Sequence, residues 1–209
     1  MPSLGQLLES HSPLLLIDAA SARIQAGVLA AGRAPRWASR AAEAGTGIFD
    51  CLDDLGFDVN SAAAFIFCEG PGSILGVRTA AMALRIWSVM SPRPIFGYRS
   101  LALAAEAAPE GAAVIADARR GLWHRAVRGM PLALAAPADL SGALVSPEGF
   151  RSWDPLPPGT KSMPYDVAAV LAKPAAAAAD IFRQTDAPDA FLHREPEYAR
   201  WTPRIHRAP

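Results

Sequence analysis

The sequence predicts an α/β protein built from two related subdomains, the second reduced. Short apolar runs alternate with stretches of helical spacing through the first half, the pattern of strands connected by helices. One phrase also occurs twice: an apolar strand ending in Asp-Ala, a short turn, then a returning strand. It spans 14–29 and again 113–127, about half the chain apart. The 209 residues are 51% hydrophobic and 19% charged, enough to bury one large domain or two small ones. We place an N-terminal α/β subdomain at 1–108 and a smaller subdomain with a tail at 109–209.

Leu14 to Ile17 form the first apolar run and end on Asp18; Ala26 to Leu29 form the strand that returns. From 41 to 55, Ile48, Phe49, Leu52 and Leu55 fall at helical intervals, and Gly56 supplies a C-terminal stop. Residues 63–68 make a buried strand. A glycine-rich turn and a long apolar helix over 75–90 follow, closed by Pro92 and Pro94. A short strand starts at Ile95, and a helix over 101–108 ends before Pro109. The repeated phrase then opens the second half. Beyond Pro137 the pattern weakens to a proline-rich covering loop over 150–164, two short helices over 165–171 and 174–182, and an arginine-rich tail from His193 read as surface.

Composition excludes several functions. Twenty basic and twenty acidic residues cancel, so no bulk field draws the chain to nucleic acid or an acidic membrane. Apolar stretches break off before the ~20 residues a membrane helix needs, and the first residues lack the basic start of a secretory signal. Cys51 and Cys68 show no Cys-x-x-Cys spacing, which predicts buried free thiols in a reducing, cytoplasmic setting. Four scattered histidines supply neither a zinc site nor a hydrolytic triad.

Three features carry candidate chemistry. The segment Gly70-Pro71-Gly72-Ser73-Ile74-Leu75-Gly76-Val77-Arg78 joins a strand to a helix, where backbone amides can hold an anion. It lacks the Lys-Ser/Thr of a P-loop and the spacing of a dinucleotide fingerprint or nucleophile elbow. Tight packing of the helix is the other reading. Asp18 and Asp117, at their strand tips, either orient a hydrated metal or water between the subdomains or cap their own turns. The 75–90 helix is apolar almost all round, which requires burial on most sides by the core or by a partner.

At these residues the chain resembles the TsaB (YeaZ) family. Asp18, Gly70-Pro71-Gly72-Ser73-x-x-Gly76-Val77-Arg78, Ser100-Leu101, Asp117-Ala118-Arg119-Arg120 and Pro196-x-Tyr198-x-Arg200 follow the family's order. The resemblance implies the actin/hexokinase/Hsp70-like (ASKHA, RNase H-like) fold class. It also implies a non-catalytic partner of TsaD, the subunit that transfers threonylcarbamoyl to tRNA in t6A synthesis. A TsaD-like partner, a TsaE-like ATPase, a homodimer when alone, and tRNA reached only indirectly belong to that expectation. Its interface would use Ile48, Phe49, Leu52, Leu55, Thr79, Met82, Ala83 and Ile86, chosen by helical spacing. An anion, if bound, would meet Asp18, Gly70, Gly72, Ser73, Gly76, Asp117 and Arg119. No cofactor is implied for the chain alone, beyond weak ATP or ADP binding.

Two departures bear on nucleotide. Asp18-Ala19-Ala20 replaces the family's Asp-Thr-Ser, and Ser73-Ile74-Leu75-Gly76 replaces Ser-Phe-Thr-Gly, both at the cost of side-chain hydroxyls that could touch phosphate. Three functions therefore stand: a partner subunit, which we favour; an ATP-using phosphotransferase acting through Asp18 or Asp117; and a hydrolase, which the missing histidine pairing disfavours.

Overall fold

The computed structural model of the chain describes residues 1–193. In chain order the elements are α1 (Leu4–Ser10), β1 (Leu14–Asp18), β2 (Ile24–Leu29), β3 (Arg36–Arg40), α2 (Ala44–Leu55), β4 (Ala64–Gly70), α3 (Ile74–Met90), β5 (Ile95–Arg99) and α4 (Ser100–Ala107). The second half adds β6 (Ala113–Asp117), β7 (Trp123–Ala126), β8 (Ala133–Ala135), β9 (Leu144–Pro147), β10 (Lys161–Met163), α5 (Val167–Leu171), α6 (Pro174–Ala177) and β11 (Arg183–Gln184).

The strands make two sheets with one plan. The first runs β11-β5-β4-β1-β2-β3, the second β10-β9-β6-β7-β8. In each, an antiparallel hairpin leads to a third antiparallel strand, while the next two strands pair parallel on the other side of the first; β11 then adds antiparallel to β5. Thus β1 corresponds to β6, β2 to β7 and β4 to β9. What differs is the connections. Helices α2 and α3 cross over in the first half, whereas residues 136–143 and 148–160 do so as loops in the second. The second subdomain is reduced because it has lost its two covering helices.

Both faces of the first sheet are buried, which explains why its central strands read as unbroken apolar runs rather than alternating ones. Leu15, Ile17, Phe65 and Phe67 pack with Ile48, Cys51 and Leu84 on one side. Leu14, Leu16 and Ile66 pack on the other with α4, α5 and Val114 and Ala116 of the second sheet. Helix α4 therefore lies between the sheets, and one core serves both halves. Beneath the second sheet's outer face, Ala113, Ile115, Trp123 and Leu144 form only a small cluster.

Several expectations need revision. Residues 36–40, unassigned from sequence, form an edge strand, because Arg36-Trp37-Ala38-Ser39-Arg40 has an exposed side and pairs only with β2. The predicted 174–182 helix stops at Ala177, and the chain then extends into β11, which pairs with β5. The covering loop contains a short strand, β10. Gly56 ends α2 in the left-handed conformation as expected. Both cysteines are buried and free. The tail from residue 194, with Pro196, Tyr198 and Arg200, lies outside the described residues.

Two glycines hold the turn between β4 and α3 against the turn after β1. A Cβ on Gly72 would lie 2.2 Å from the Ala20 carbonyl oxygen, and one on Gly76 would lie 2.1 Å from that of Ala19. Gly76→Ala is expected to cost about 1–3 kcal/mol through forced overpacking, a fall of roughly 3–10 °C in thermal midpoint. Gly45→Ala, which meets nothing within 4 Å, should leave the midpoint unchanged or raise it. Differential scanning calorimetry of the two variants checks the contrast.

Candidate functional site

The glycine-rich turn is built largely for packing. Ser73 donates its amide to Ala20 O at 2.7 Å, and its hydroxyl caps α3 by accepting the Gly76 amide at 3.1 Å. The Ser100 hydroxyl donates to Pro71 O at 2.5 Å. Two of the amides an anion would approach are therefore already used inside the fold. Ile74 and Leu75 occupy the first-turn positions that lack intrahelical acceptors.

The two strand-tip aspartates have different surroundings. Asp18 is fully buried. Its Oδ1 accepts the Ala20 amide at 2.9 Å, and its Oδ2 accepts the hydroxyls of Tyr98 at 2.5 Å and Tyr165 at 2.6 Å. Burial, followed by the nearby Asp18 charge, pushes both phenols well above their usual range, so they remain donors. Asp117 is partly exposed and accepts from the Arg119 amide, the amides of Trp153 and Asp154, and the Ser152 hydroxyl. Partial burial alone would raise its pKa. The hydrogen bonds outweigh burial and hold the carboxyl below the ordinary aspartate value. Each aspartate accepts the amide two residues on, capping its own turn.

A cleft of about 1000 Å³ opens between the halves. The turn after β1, the glycine-rich turn, the β6–β7 turn and the 149–153 loop line it. Of the residues assigned to anion binding, Gly72, Ser73, Gly76, Asp117 and Arg119 line this cleft; Asp18 and Gly70 do not. Sequence reasoning missed Arg120, His124, Arg151 and Trp153, which also line it. His124 is pushed down to about 4, first by burial and then by the neighbouring His193, against a smaller opposing effect of Asp117. No group of three or more His, Cys, Asp or Glu side chains fit to hold a metal occurs among the described residues.

A second, smaller depression of about 320 Å³ lies on the far side of the first sheet, between α2 and α3. Six of the eight residues assigned to an interface meet there: Ile48, Phe49, Thr79, Met82, Ala83 and Ile86. Phe49, Met82 and Ile86 are exposed by 50–55% on its rim. Ile48 and Ala83 are buried at its base. Leu52 and Leu55 lie elsewhere, buried against the sheet at 6% exposure each. Helical spacing placed these two leucines on the apolar stripe, but that stripe faces the core. Leu75, Val89 and Met90 add exposed apolar surface along α3.

Glu69, not singled out from sequence, is the other buried carboxylate among the described residues. It bridges Arg99 at 3.1 Å and Arg183 at 2.6 Å, and its backbone oxygen accepts the Phe191 amide at 2.7 Å. Arg99 in turn stacks over the Phe191 ring at 3.5 Å. Asp189 faces Arg78 and Arg85 of α3 at 3.7 and 3.5 Å. Residues 182–193 are thus tied across β5 and along α3 to the cleft.

Two like-planned α/β subdomains around a central cleft define the actin/hexokinase/Hsp70-like fold class. Within it, the likeness is to YeaZ. The chain is similar to a solved structure described as an uncharacterized protein with similarity to peptidase YeaZ from Pseudomonas aeruginosa: 20% identity, TM-score 0.61, 88% of this chain and all of that one. It is also similar to YeaZ from Pseudomonas aeruginosa, at 21% identity and TM-score 0.55 over 65% of this chain and 76% of that one. At these identities the likeness is one of fold. No family model and no curated protein matches the sequence.

Removing one phenol from the Asp18 cluster by Tyr98→Phe or Tyr165→Phe should each cost about 1–3 kcal/mol, because a buried carboxylate loses a donor. The double variant should be non-additive when denaturant midpoints are compared. His124 predicts a pH dependence. Its folded pKa, about 4, lies below the unfolded 6.5, so the unfolded chain binds the extra proton between those values. Stability is then complete above about pH 6.5 and falls toward pH 4, by at most about 3 kcal/mol. His124→Gln should flatten that part of a urea-midpoint profile.

Proposed function

We propose that this chain is a non-catalytic partner subunit that docks on a TsaD-like threonylcarbamoyltransferase and supports t6A modification of tRNA. The observation that carries the reading is the α2/α3 depression with Phe49, Met82 and Ile86 exposed on its rim. Apolar side chains grouped in this way on a helix pair are better suited to a second helix pair than to water. Leu75, Val89 and Met90 extend the same surface along α3. In this reading Ile48 and Ala83 form its floor, while Leu52 and Leu55 support it from the core.

The same surface would serve a homodimer when the chain is alone and the TsaD-like subunit when that is present. A TsaE-like ATPase joins the assembly through its partners, and tRNA is reached indirectly. The work takes place in the cytoplasm. No helix among the described residues is long and apolar enough to cross a membrane. The phosphotransferase reading has less support: Asp18 is enclosed by three donors outside the cleft lining, and four donors engage Asp117. Chemistry on either carboxylate would first have to break that cage.

Met82→Asp puts a charge at the centre of the rim without touching the core. It should turn a dimer into a monomer and weaken assembly with the cognate TsaD-like protein by about tenfold or more, as loss of a central interface anchor does. Light scattering after gel filtration, on the chain alone and on the mixture, measures both. Assembly unchanged by the substitution would overturn the reading.

A further inference from the structure

We propose that the segment over 185–193 is a releasable strap linking the α2/α3 surface to the cleft, with Arg78 exchanging between Asp189 of the strap and a carboxylate on the docked partner. This rests on the docking reading above. Arg78, near the start of α3, lines both the α2/α3 depression and the cleft. Among the described residues it is the one charged side chain lining the depression; the others there are apolar or, at Thr79, hydroxyl-bearing.

The strap is held lightly. The Thr185 amide donates to Ile95 O at 2.9 Å and the Phe191 amide to Glu69 O at 2.7 Å. Between them, Arg85 Nε donates to Pro188 O at 2.8 Å, and Asp189 faces Arg78 and Arg85 at 3.7 and 3.5 Å. Both ion pairs are longer than the usual hydrogen-bond range of about 2.7–3.2 Å. Arg78 and Asp189 are each 55% exposed, and an ion pair so open to water adds little stability and is easily exchanged. Within 185–193 only Pro188 is buried. Segments tied this sparsely open locally well before the whole molecule unfolds. Beyond Asp189, Phe191, Leu192 and His193 wall the cleft, and the His193 ring packs on His124 at 5.7 Å.

The partner's chemistry follows from Arg78. Covering the depression removes water from the guanidinium, and an apolar surface alone would leave that charge without compensation. A partner that fits brings an apolar helix face and one carboxylate opposite Arg78, and this carboxylate competes with Asp189. Capture of Arg78 leaves Asp189 with Arg85 alone, loosens the strap and moves Phe191 to His193 off the cleft wall. Docking on one face is thereby coupled to opening on the other. Linkage requires the converse: a strap already loosened favours docking.

Hydrogen exchange of the full chain, alone and with the cognate TsaD-like protein, tests it. The expected result is slower exchange over 44–55 and 74–90, which reports docking, together with severalfold faster exchange over 186–193. Asp189→Asn retains the side-chain oxygen that accepts the Ala190 amide at 2.7 Å. It should speed exchange of the strap in the chain alone, shift the His124 ring resonances and tighten assembly severalfold. Arg78→Gln leaves the partner's carboxylate uncompensated and should weaken assembly severalfold. In that background Asp189→Asn should be silent for affinity, which a double-mutant cycle reads directly. Both side chains are exposed, so neither variant disturbs the core. Slowed exchange in both helices with unchanged exchange over 186–193, or an effect of Asp189→Asn on affinity that persists without Arg78, would overturn the strap and leave docking standing. No protection of either helix would overturn both.

Discussion

The structure turns on a buried carboxylate. Asp18 ends the central strand of the first sheet, and its Oδ2 takes hydroxyls from Tyr98 on β5 and Tyr165 beyond β10. A lone ionised group at that depth would be strongly disfavoured, so the position demands both phenols, and the phenols come from opposite halves. Neighbouring bonds reinforce the junction. The Gln25 side chain donates to Tyr165 O and accepts the Val167 amide, and Arg23 meets Asp166 at 3.1 Å. These polar contacts tie the segment after β10 to the first sheet, alongside the apolar core that both halves share.

The repeat explains why the two faces of the molecule differ. In the first half, the crossovers on either side of β4 are α2 and α3, which bury Phe65, Phe67 and Ile17. In the second, loops replace them, and the corresponding core shrinks to Ala113, Ile115, Trp123 and Leu144. The loop over 148–160 instead turns its main chain toward Asp117 and carries Arg151 and Trp153 to the cleft. Loss of a helix thus exchanged buried apolar surface for polar groups at an opening. Glu69 shows the other side of that asymmetry. It is buried on β4 and packed so closely on Gly97 that a Cβ there would lie 2.3 Å from its Oε1. It needs two arginines to be tolerated.

Much of the first subdomain was legible because two-sided burial leaves a strong signal. Leu14 to Ile17, Ala64 to Cys68 and the long α3 are apolar enough to define themselves, and the Asp-Ala phrase gave the internal symmetry. Edge elements were not legible, since β3 and β11 are short, polar and held by pairing with one neighbour. The apolar face of α2 and α3 was half readable. Spacing identifies an apolar stripe but not which part faces inward: it groups Leu52 and Leu55 with Phe49, although only the phenylalanine is exposed. At the cleft, Asp117 and Arg119 stood out through their motif. Arg151, Trp153 and His124 did not, because what unites them is proximity across 27–29 positions of chain, and no local pattern encodes that.

The first sheet is not finished by the first half. Its edge beyond β5 is closed by β11, through pairing of Arg183 with Gly97 and Gln184 with Phe96, and the Asp18 cluster lacks a donor until Tyr165 is in place. During synthesis, then, the first half holds an open strand edge and an under-supplied carboxylate until residues 165 and 183–184 have left the ribosome. Such a molecule cannot fold half by half as independent pieces would. Its long-range closures set the pace, and a nascent chain stalled before residue 165 would present an unpaired β5 edge to any neighbouring strand.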